Sequence, residues 1–294
     1  MITKEELENL IKKEYPNDYI SIMEGFKTSR NTSFRLNRLT STKEEVDRFL
    51  IENNIKFKNP NFFSDAYILE EKMDLSNTDL FKEAKIYLQS LSSQIPPLFL
   101  DLDTSNEILD MCAAPGGKTC EIASLTLNKK DLLAVEANKI RADRLKYNLN
   151  MQKAKANVIV TDAKKLDEFF RFDTILLDAP CSGSGTLNLN NPKDMKYFSY
   201  ELVLNSAKTQ LALLKKALEI LKPGHTLIYS TCSILKEENE NILKKVLNDK
   251  IVIEKIELDI DKSNLLPSSI DGVITVKPSK EFEGFFISKI KKIK

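Results

Sequence analysis

Hydrophobic and polar residues follow two different patterns before and after about residue 100. Before it, the apolar spacing predicts a helix over 5–14, a strand over 32–37 and a helix over 42–53. Thr42 and Glu45 have the spacing of a capping box, which supports the start of the second helix. After it, short apolar runs alternate with helical stretches, a pattern typical of a parallel sheet covered by helices on both faces. The chain is therefore predicted to combine a small N-terminal α+β domain with a larger α/β domain.

The elements of the second domain are predicted from the same spacing. Apolar runs predict strands at 107–111, 132–136, 157–161, 173–177, 226–230, 251–258 and 285–290, and amphipathic stretches predict helices at 139–150, 202–221 and 236–248. Pro96 and Pro97 mark a junction, so the predicted domains are residues 1–100 and 101–294. Because ligands bind beyond the carboxyl ends of strands in open α/β sheets, the loops after these strands are expected to carry the chemistry.

The loop after the first of these strands has the sequence Cys112-Ala-Ala-Pro-Gly-Gly-Lys-Thr119. It leads into a helix, so its backbone N–H groups can meet a ligand, and the two glycines allow a close approach. Glu136 ends the next strand, about 20 residues downstream, as expected of an acid that binds ribose hydroxyls. A phosphate-binding loop is the rival interpretation, but its pattern requires glycine at the position of Cys112. The spacing favours an adenosine-bearing cofactor, and S-adenosylmethionine in particular.

Two cysteines in loops after predicted strands are candidates for covalent chemistry. Cys181 follows Pro180 in a segment rich in serine and glycine, and Cys232 lies between Thr231 and Ser233. A thiolate is both a good nucleophile and a good leaving group. The residues alone leave the roles of these two thiols interchangeable, whereas the thiols of Cys112 and Cys120 fit ordinary packing.

Three segments together resemble the RNA cytosine-5 methyltransferases of the RsmB, NOP2 and NSUN group. The resemblance runs from about 87 to 286 and is carried by 112–119, 178–186 and 229–233. Two positions depart from the family pattern: Glu136 stands where aspartate is usual, and His225 where a second glycine is common. The resemblance implies a Rossmann-like class I methyltransferase domain, with a mostly parallel seven-stranded sheet whose last strand is antiparallel.

The resemblance also implies roles for site residues. Cys232 would be the nucleophile that adds to carbon 6 of cytosine, and Cys181 would assist proton removal or product release. The residues themselves suggest that Asp178, at the end of an apolar strand, accepts from the cytosine amine, unless it caps the following turn. Lys118 opposes the helix dipole, which indicates either a role near the substrate or simply a solvated side chain. S-adenosylmethionine is expected to contact the first loop and the polar residues after the following strands: Cys112, Ala113, Ala114, Pro115, Gly116, Gly117, Lys118, Glu136, Arg141, Asp162 and Asp178.

The expected reaction is methylation of carbon 5 of a cytosine in ribosomal or transfer RNA. Two alternatives remain open, a uracil-5 RNA methyltransferase and a non-catalytic RNA-binding or ribosome-assembly factor that retains the fold. In the N-terminal domain, where the family places RNA contacts, Arg35 and Asn37 are candidates for RNA contact or else ordinary strand residues.

Composition adds limits to this picture. The 44 Lys and Arg residues balance 43 Asp and Glu residues, so any RNA-binding surface must be confined to one face. No apolar run reaches membrane length and no signal peptide is evident, so a cytoplasmic, monomeric protein is expected. The four cysteines lack C-x-x-C spacing, which predicts free thiols and no metal site.

Overall fold

The computed structural model describes residues 3–294. Its α-helices are α1 Lys4–Glu14, α2 Tyr19–Gly25, α3 Lys43–Glu52, α4 Asp79–Lys82, α5 Leu91–Gln94, α6 Gly117–Leu125, α7 Lys139–Met151, α8 Pro192–Tyr197, α9 Tyr200–Ile220 and α10 Glu240–Leu243. Its strands are β1 Ser33–Leu36, β2 Phe57–Lys58, β3 Ala66–Leu69, β4 Ile86–Leu88, β5 Glu107–Asp110, β6 Asp131–Glu136, β7 Asn157–Val160, β8 Phe172–Asp178, β9 Leu221–Thr231, β10 Ile251–Glu254, β11 Leu265–Leu266, β12 Ile274–Val276 and β13 Phe285–Lys292. Short 3₁₀-helices lie at Pro96–Phe99, Ala163–Lys165, Lys236–Glu238 and Lys262–Asn264.

A four-stranded antiparallel sheet, in the order β2-β3-β1-β4, lies in the N-terminal part of the chain. Helix α3 packs on it through Val46 and Leu50, which share a buried cluster with Phe34 of β1. Thr42 caps α3 by accepting a hydrogen bond from the Glu45 backbone at 3.3 Å. The Glu45 carboxylate does not complete the predicted capping box, because it pairs with Lys85 at 2.8 Å instead.

Helices α1 and α2 contribute to a different core. Leu7, Ile11 and Tyr15 share a buried cluster with Phe198 and Ile234, which lie far along the chain. The Tyr15 hydroxyl donates to the Ile234 carbonyl at 2.7 Å. The first helices therefore pack against the segment that follows β9 and Cys232.

A nine-stranded sheet forms the larger part of the molecule, in the order β11-β12-β13-β9-β8-β5-β6-β7, with β10 also paired to β13. The five strands from β7 to β9 in this order are parallel, and β13 runs antiparallel to β9, as predicted. The predicted number of seven strands is wrong. The free edge of β13 is long enough to pair with β12 at one end and β10 at the other, and β12 pairs further with β11.

Strands β5, β6, β8 and β9 of this sheet are largely buried on both faces, as expected for a parallel sheet, whereas the edge strand β7 is partly exposed. Leu177 and Tyr229 pack with Leu214 of α9 on one face, whereas Leu176 and Ile228 belong to the cluster of the other face. Helices on both faces leave the carboxyl ends of β5, β6, β8 and β9 at one edge. The predicted helix over 236–248 is instead a 3₁₀ turn followed by the short α10. None of the helices described between residues 3 and 294 has the length and apolarity needed to cross a membrane.

Candidate active site

Two adjoining cavities open at the carboxyl edge of the parallel strands. The larger one has a volume of about 500 Å³ and is lined from five loops and helix α9, by Met111, Cys112, Ala114, Glu136, Ala137, Arg141, Asp162, Ala163, Lys164, Asp178, Ala179, Pro180, Cys181, Thr209, Leu213 and Cys232. The smaller one has a volume of about 200 Å³ and is lined by Tyr87, Leu88, Gln89, Ser93, Asp110, Cys112, Ala113, Ala114, Pro115, Gly117, Lys118 and Asp178. Every site residue predicted from the sequence lines one of these cavities except Gly116, which precedes α6 with a φ of 110°.

The loop between β5 and α6 is held in place by side chains from distant elements. Arg141 donates to the Ala114 carbonyl at 2.7 Å, and Asn148 donates to the Pro115 carbonyl at 2.8 Å. Arg35, from the N-terminal sheet, donates to the Gly117 carbonyl at 2.8 Å. The carbonyl groups of the loop are thus fixed from outside the cavity by α7 and β1.

Asp110 and Thr119 tie the end of β5 to the start of α6. The Thr119 hydroxyl donates to the Asp110 carboxylate at 2.7 Å, and both side chains are buried. Burial raises the pKa of Asp110 to about 6, against the opposing effect of this hydrogen bond. The carboxyl group lines the smaller cavity behind the loop.

Acidic side chains line the end of the larger cavity formed by β6 and β7. Glu136 is buried, accepts from the Asn138 backbone at 2.9 Å and lies 3.5 Å from the Arg141 guanidinium. Asp162 accepts from the Lys164 backbone at 3.0 Å and pairs with its ammonium at 3.4 Å. The cations of this cavity are therefore already neutralised, which suits hydroxyl and amine donors of a nucleoside better than a phosphate. The volume also falls in the range usual for small-molecule sites.

Lys118 and Asp178 form an ion pair where the two cavities meet. The Lys118 ammonium lies 2.7 Å from the Asp178 carboxylate and 2.8 Å from the Ser93 hydroxyl. Ser230 donates to the other Asp178 oxygen at 2.9 Å. Burial lowers the pKa of Lys118, but the attraction of Asp178 outweighs it and the net shift is upward. The carboxylate compensates for the unfavourable position of a cation at a helix N-terminus.

Cys181 and Cys232 both line the larger cavity, and both are half-buried free thiols. The neighbouring Cys232 side chain, together with burial, raises the pKa of Cys181 well above its usual value. Cys112 also lines the cavity, and burial raises its thiol pKa. Cys120 is buried in an apolar cluster with Leu145. Of the four cysteines, the pair singled out from the sequence is the one that the fold brings into contact.

Comparison with known proteins gives the same family as the motifs. A model of the 16S rRNA methyltransferase RsmB/F family matches residues 97–291. The chain belongs to the RsmB/F family. It is 34% identical over 278 residues to the ribosomal RNA small subunit methyltransferase F of Shewanella woodyi, covering 89% of this chain and 57% of that protein. It is 30% identical over 280 residues to the probable ribosomal RNA small subunit methyltransferase B of Coxiella burnetii, covering 91% and 61%. This RsmB/F chain therefore spans about three fifths of the length of these curated relatives.

Solved structures confirm the predicted class I methyltransferase fold. A methyltransferase homolog protein from Pyrococcus horikoshii is 30% identical to the RsmB/F chain, with a TM-score of 0.81 over 97% of this chain and 93% of that one. NSun6 from the same organism, solved with SFG, is 22% identical, with a TM-score of 0.83 over 99% and 97%. At that identity the second comparison supports the fold alone.

Arg35 and Asn37 do not have the position expected of RNA contacts, because both side chains are buried in the RsmB/F fold. Arg35 donates to Gln89 at 2.9 Å as well as to the cofactor loop. Asn37 donates to the backbone carbonyls of Ala84 and Gln152, each at 2.9 Å. The prediction that they contact RNA is wrong, and their bonds join the N-terminal sheet to the start of α6 and the end of α7.

Two residues of the site escaped the sequence analysis. The Ser93 hydroxyl accepts a hydrogen bond from the Lys118 ammonium, which also pairs with Asp178. Glu238 is buried between the two cysteine loops. Glu238 lies in the charged run Lys236-Glu237-Glu238-Asn239-Glu240, which has the composition of a solvent-exposed helix. Nothing in the local spacing distinguishes its carboxylate from those of Glu237 and Glu240.

Proposed function

We propose that this protein methylates carbon 5 of a cytosine in RNA, with S-adenosylmethionine as methyl donor and Cys232 as nucleophile. The observation that carries the proposal is the meeting of Cys181 and Cys232 in a cavity that also contains the cofactor loop, Glu136 and Asp162. The names of the family and of its relatives support ribosomal RNA of the small subunit as the substrate class.

Carbon 5 of cytosine is too weak a nucleophile to take a methyl group directly. A thiolate that adds to carbon 6 pushes electron density onto carbon 5 as an enamine, which makes this carbon reactive. S-adenosylmethionine, when bound, supplies the electrophilic methyl group. Removal of the carbon 5 proton and elimination of the thiolate then release the product. This sequence needs one nucleophilic thiol and a second group that handles a proton, which matches the two neighbouring cysteines.

The cofactor would be held by the residues that line the larger cavity around the loop. Backbone groups of residues 112–118 would face it, Glu136 would accept from the ribose hydroxyls, and Asp162 would accept from the adenine amine. Arg141 would act indirectly, because it fixes the Ala114 carbonyl and lies beside Glu136.

The Lys118–Asp178 pair would recognise the base. The Asp178 carboxylate already accepts from Lys118 and Ser230, so it suits a further donor such as the exocyclic amine of cytosine. Uracil has a carbonyl oxygen at that position, which would face the carboxylate unfavourably. Lys118 provides the donor that a ring nitrogen or carbonyl of the base requires. This arrangement favours cytosine over the uracil alternative.

The assignment of Cys232 as nucleophile draws on the resemblance to the RNA cytosine-5 enzymes, which places the nucleophile in the Thr231-Cys232-Ser233 segment. Cys181 would then be the thiol that exchanges protons.

The four-stranded sheet supplies Tyr87 and Gln89 to the smaller cavity, beside Lys118. This contact supports the proposal that residues 1–100 form a domain that meets RNA close to the reacting base. The polar edge of the smaller cavity, rather than the buried Arg35, is where that contact would lie.

Two cysteine variants test the proposal with an unmodified small-subunit ribosomal RNA transcript and labelled S-adenosylmethionine. Cys232→Ala should give neither turnover nor RNA-linked protein, because no adduct at carbon 6 can form. Cys181→Ala should accumulate a denaturant-resistant protein–RNA species that ribonuclease removes, because the methylated adduct resolves slowly. If the trapped species appears in Cys232→Ala instead, the two roles are reversed. Full activity in both variants, or none in the native protein on any RNA, would refute covalent cytosine methylation.

A further inference from the structure

Glu238 lies between the two loops that carry the catalytic cysteines and is completely buried. Its carboxylate accepts from the Ser182 backbone at 2.7 Å and from the Ser182 hydroxyl at 2.6 Å, next to Cys181. It also accepts from the Ser233 hydroxyl at 2.6 Å, next to Cys232. Gln210 of α9 donates a fourth hydrogen bond at 3.2 Å. One side chain thus bonds to the immediate neighbours of both reactive cysteines.

Neighbouring contacts fix Glu238 itself. The Tyr229 hydroxyl donates to its backbone carbonyl at 2.6 Å. Asn239 accepts from the Thr231 hydroxyl at 2.6 Å and donates to the Ser233 carbonyl at 2.9 Å. The 3₁₀ turn that carries Glu238 is therefore anchored to β9 on both sides of Cys232.

The carboxylate is not placed to react with a substrate. Glu238 lines neither cavity, and its oxygens are taken by the four donors described above. No cation bonds to it among residues 3–294. A buried carboxylate is stable only while its donors stay in place, because each lost hydrogen bond leaves an unsatisfied charge in the interior.

We propose that Glu238 is a positioning residue that sets the separation of the Cys181 and Cys232 thiols. Cys181 and Cys232 belong to loops after different strands, and beyond the ends of β8 and β9 the sheet no longer fixes their distance. The loops are joined directly by bonds from the Gly185 backbone to the Cys232 carbonyl at 3.0 Å and from the Ile234 backbone to the Ser184 hydroxyl at 3.1 Å, and by the contact of the Ser184 and Ser233 hydroxyls at 2.7 Å. Glu238 adds the bonds closest to Cys181. The catalytic meaning of this separation rests on the proposed function.

The test measures the thiol pair directly, with phenylarsine oxide, a reagent that binds two thiols at once. Its affinity is determined by competition with dimercaptopropanol and mass spectrometry, without RNA or cofactor, so the outcome does not depend on the proposed reaction. Cys181→Ser should lose arsenical binding, and the difference from the native protein gives the binding that requires both thiols. The matched control is Glu240→Gln, which alters another buried carboxylate of the same segment that accepts from Ser268 and touches neither cysteine loop.

Glu238→Ala should bind the arsenical roughly tenfold or more weakly, and its methyl-transfer kcat should fall by about a hundredfold, as expected for a misplacement on the order of 1 Å. Glu238→Gln should retain near-native binding, because its carbonyl can accept from the Ser182 backbone while its amide donates to the two serine hydroxyls. Glu240→Gln should bind as the native protein does. Native arsenical affinity in a folded Glu238→Ala protein would overturn the proposal.

If Glu238→Ala does not fold, Ser233→Ala serves as the second variant. It removes the bond from Glu238 to the Cys232 loop and the contact of Ser233 with Ser184, and leaves the carboxylate three donors; its control is Ser184→Ala, which removes that contact but keeps every bond of Glu238 and should bind the arsenical more tightly than Ser233→Ala does. Weakened arsenical binding in Ser233→Ala supports the proposal, and native binding refutes it. A loss of methyl transfer with unchanged arsenical binding also refutes positioning. If the native protein and the control variants bind the arsenical as expected but none of them transfers a methyl group, only the proposed function is contradicted.

Discussion

Replacing Arg35 by methionine should destabilise the protein strongly, and more so at alkaline pH. Arg35 is completely buried, donates to Gln89 and to the Gly117 carbonyl, and lies 3.6 Å from the Glu121 carboxylate. Its guanidinium also packs over the Tyr87 ring at 4.9 Å from the centroid. Methionine keeps much of the volume but removes the charge and all of these donors.

The magnitude follows from what Glu121 loses. Removing one partner of a buried ion pair costs about 3 to 5 kcal/mol, because the other charge stays in the interior. Burial raises the pKa of Glu121 to about 8, against the opposing attraction of Arg35. Without Arg35 the pKa of Glu121 rises further. The contribution of Glu121 to stability is therefore fully present below about pH 4.5 and is lost as pH rises through its pKa in the folded protein. We expect a deficit of about 3.5 kcal/mol at pH 9 and about 2 kcal/mol at pH 6, because one pH unit above the native pKa of about 8 is worth about 1.4 kcal/mol and protonation at pH 6 leaves only the lost hydrogen bonds.

Urea unfolding at both pH values measures these deficits. In an Arg35→Met background, Glu121→Gln should recover more stability at pH 9 than at pH 6, because glutamine has no proton to lose. The control is Arg48→Met, an exposed arginine of α3, which should change the free energy of unfolding by less than about 0.5 kcal/mol. An Arg35→Met deficit independent of pH, or no recovery in the double variant, would refute the reasoning.

Three further predictions concern the site and its surroundings. Glu136→Ala should weaken S-adenosylmethionine binding by roughly 1 to 3 kcal/mol in calorimetric titration, and an unchanged affinity would remove Glu136 from the site. Burial raises the pKa of Glu14 to about 7, so the contribution of Glu14 to stability declines as pH rises from about 4.5 through 7. Glu14→Gln should therefore stabilise the protein by about 1 to 2 kcal/mol at pH 8 and by little at pH 4.5, and equal gains at the two pH values would contradict this prediction. RNA affinity should fall steeply with salt, with a slope that reports the phosphates neutralised, and salt-insensitive binding would contradict an electrostatic interface confined to one face.

The sequence predicted the catalytic sheet well where the signal was local. The apolar runs that became β5, β6, β8 and β9 are largely buried on both faces, so each is a continuous run that needs no information from elsewhere in the chain, and the partly exposed edge strand β7 was predicted from the same kind of run. The outer edge was predicted less well. The run over 251–258 gave only the short β10, and β11 and β12 were missed, because strands of two or three residues owe their existence to the partner they pair with.

Strand β1 of the N-terminal sheet also shows what the sequence pattern could not predict. The alternation over 32–37 correctly indicated β1, but an exposed and a completely buried arginine look the same in a sequence. Arg35 is buried because the sheet packs against the cofactor loop, where the Gly117 carbonyl and Glu121 accept its charge. Because these partners lie far away along the chain, the residues next to Arg35 in the sequence do not show that its charge will be balanced.

The sequence by itself determined the fold class and singled out the glycine-rich loop and the two cysteines that line the larger cavity, since strand runs, glycine turns and thiols each have a local chemical signature. Only the tertiary structure decided how they work together. Lys118 meets Asp178 across 60 residues of chain, Arg35 meets Gly117 across 82, and Glu238 joins the Cys181 loop across 56. Charges and donors so far apart become partners only when parallel strands bring their carboxyl ends to one edge, where burial makes each unpaired group too costly to leave unsatisfied.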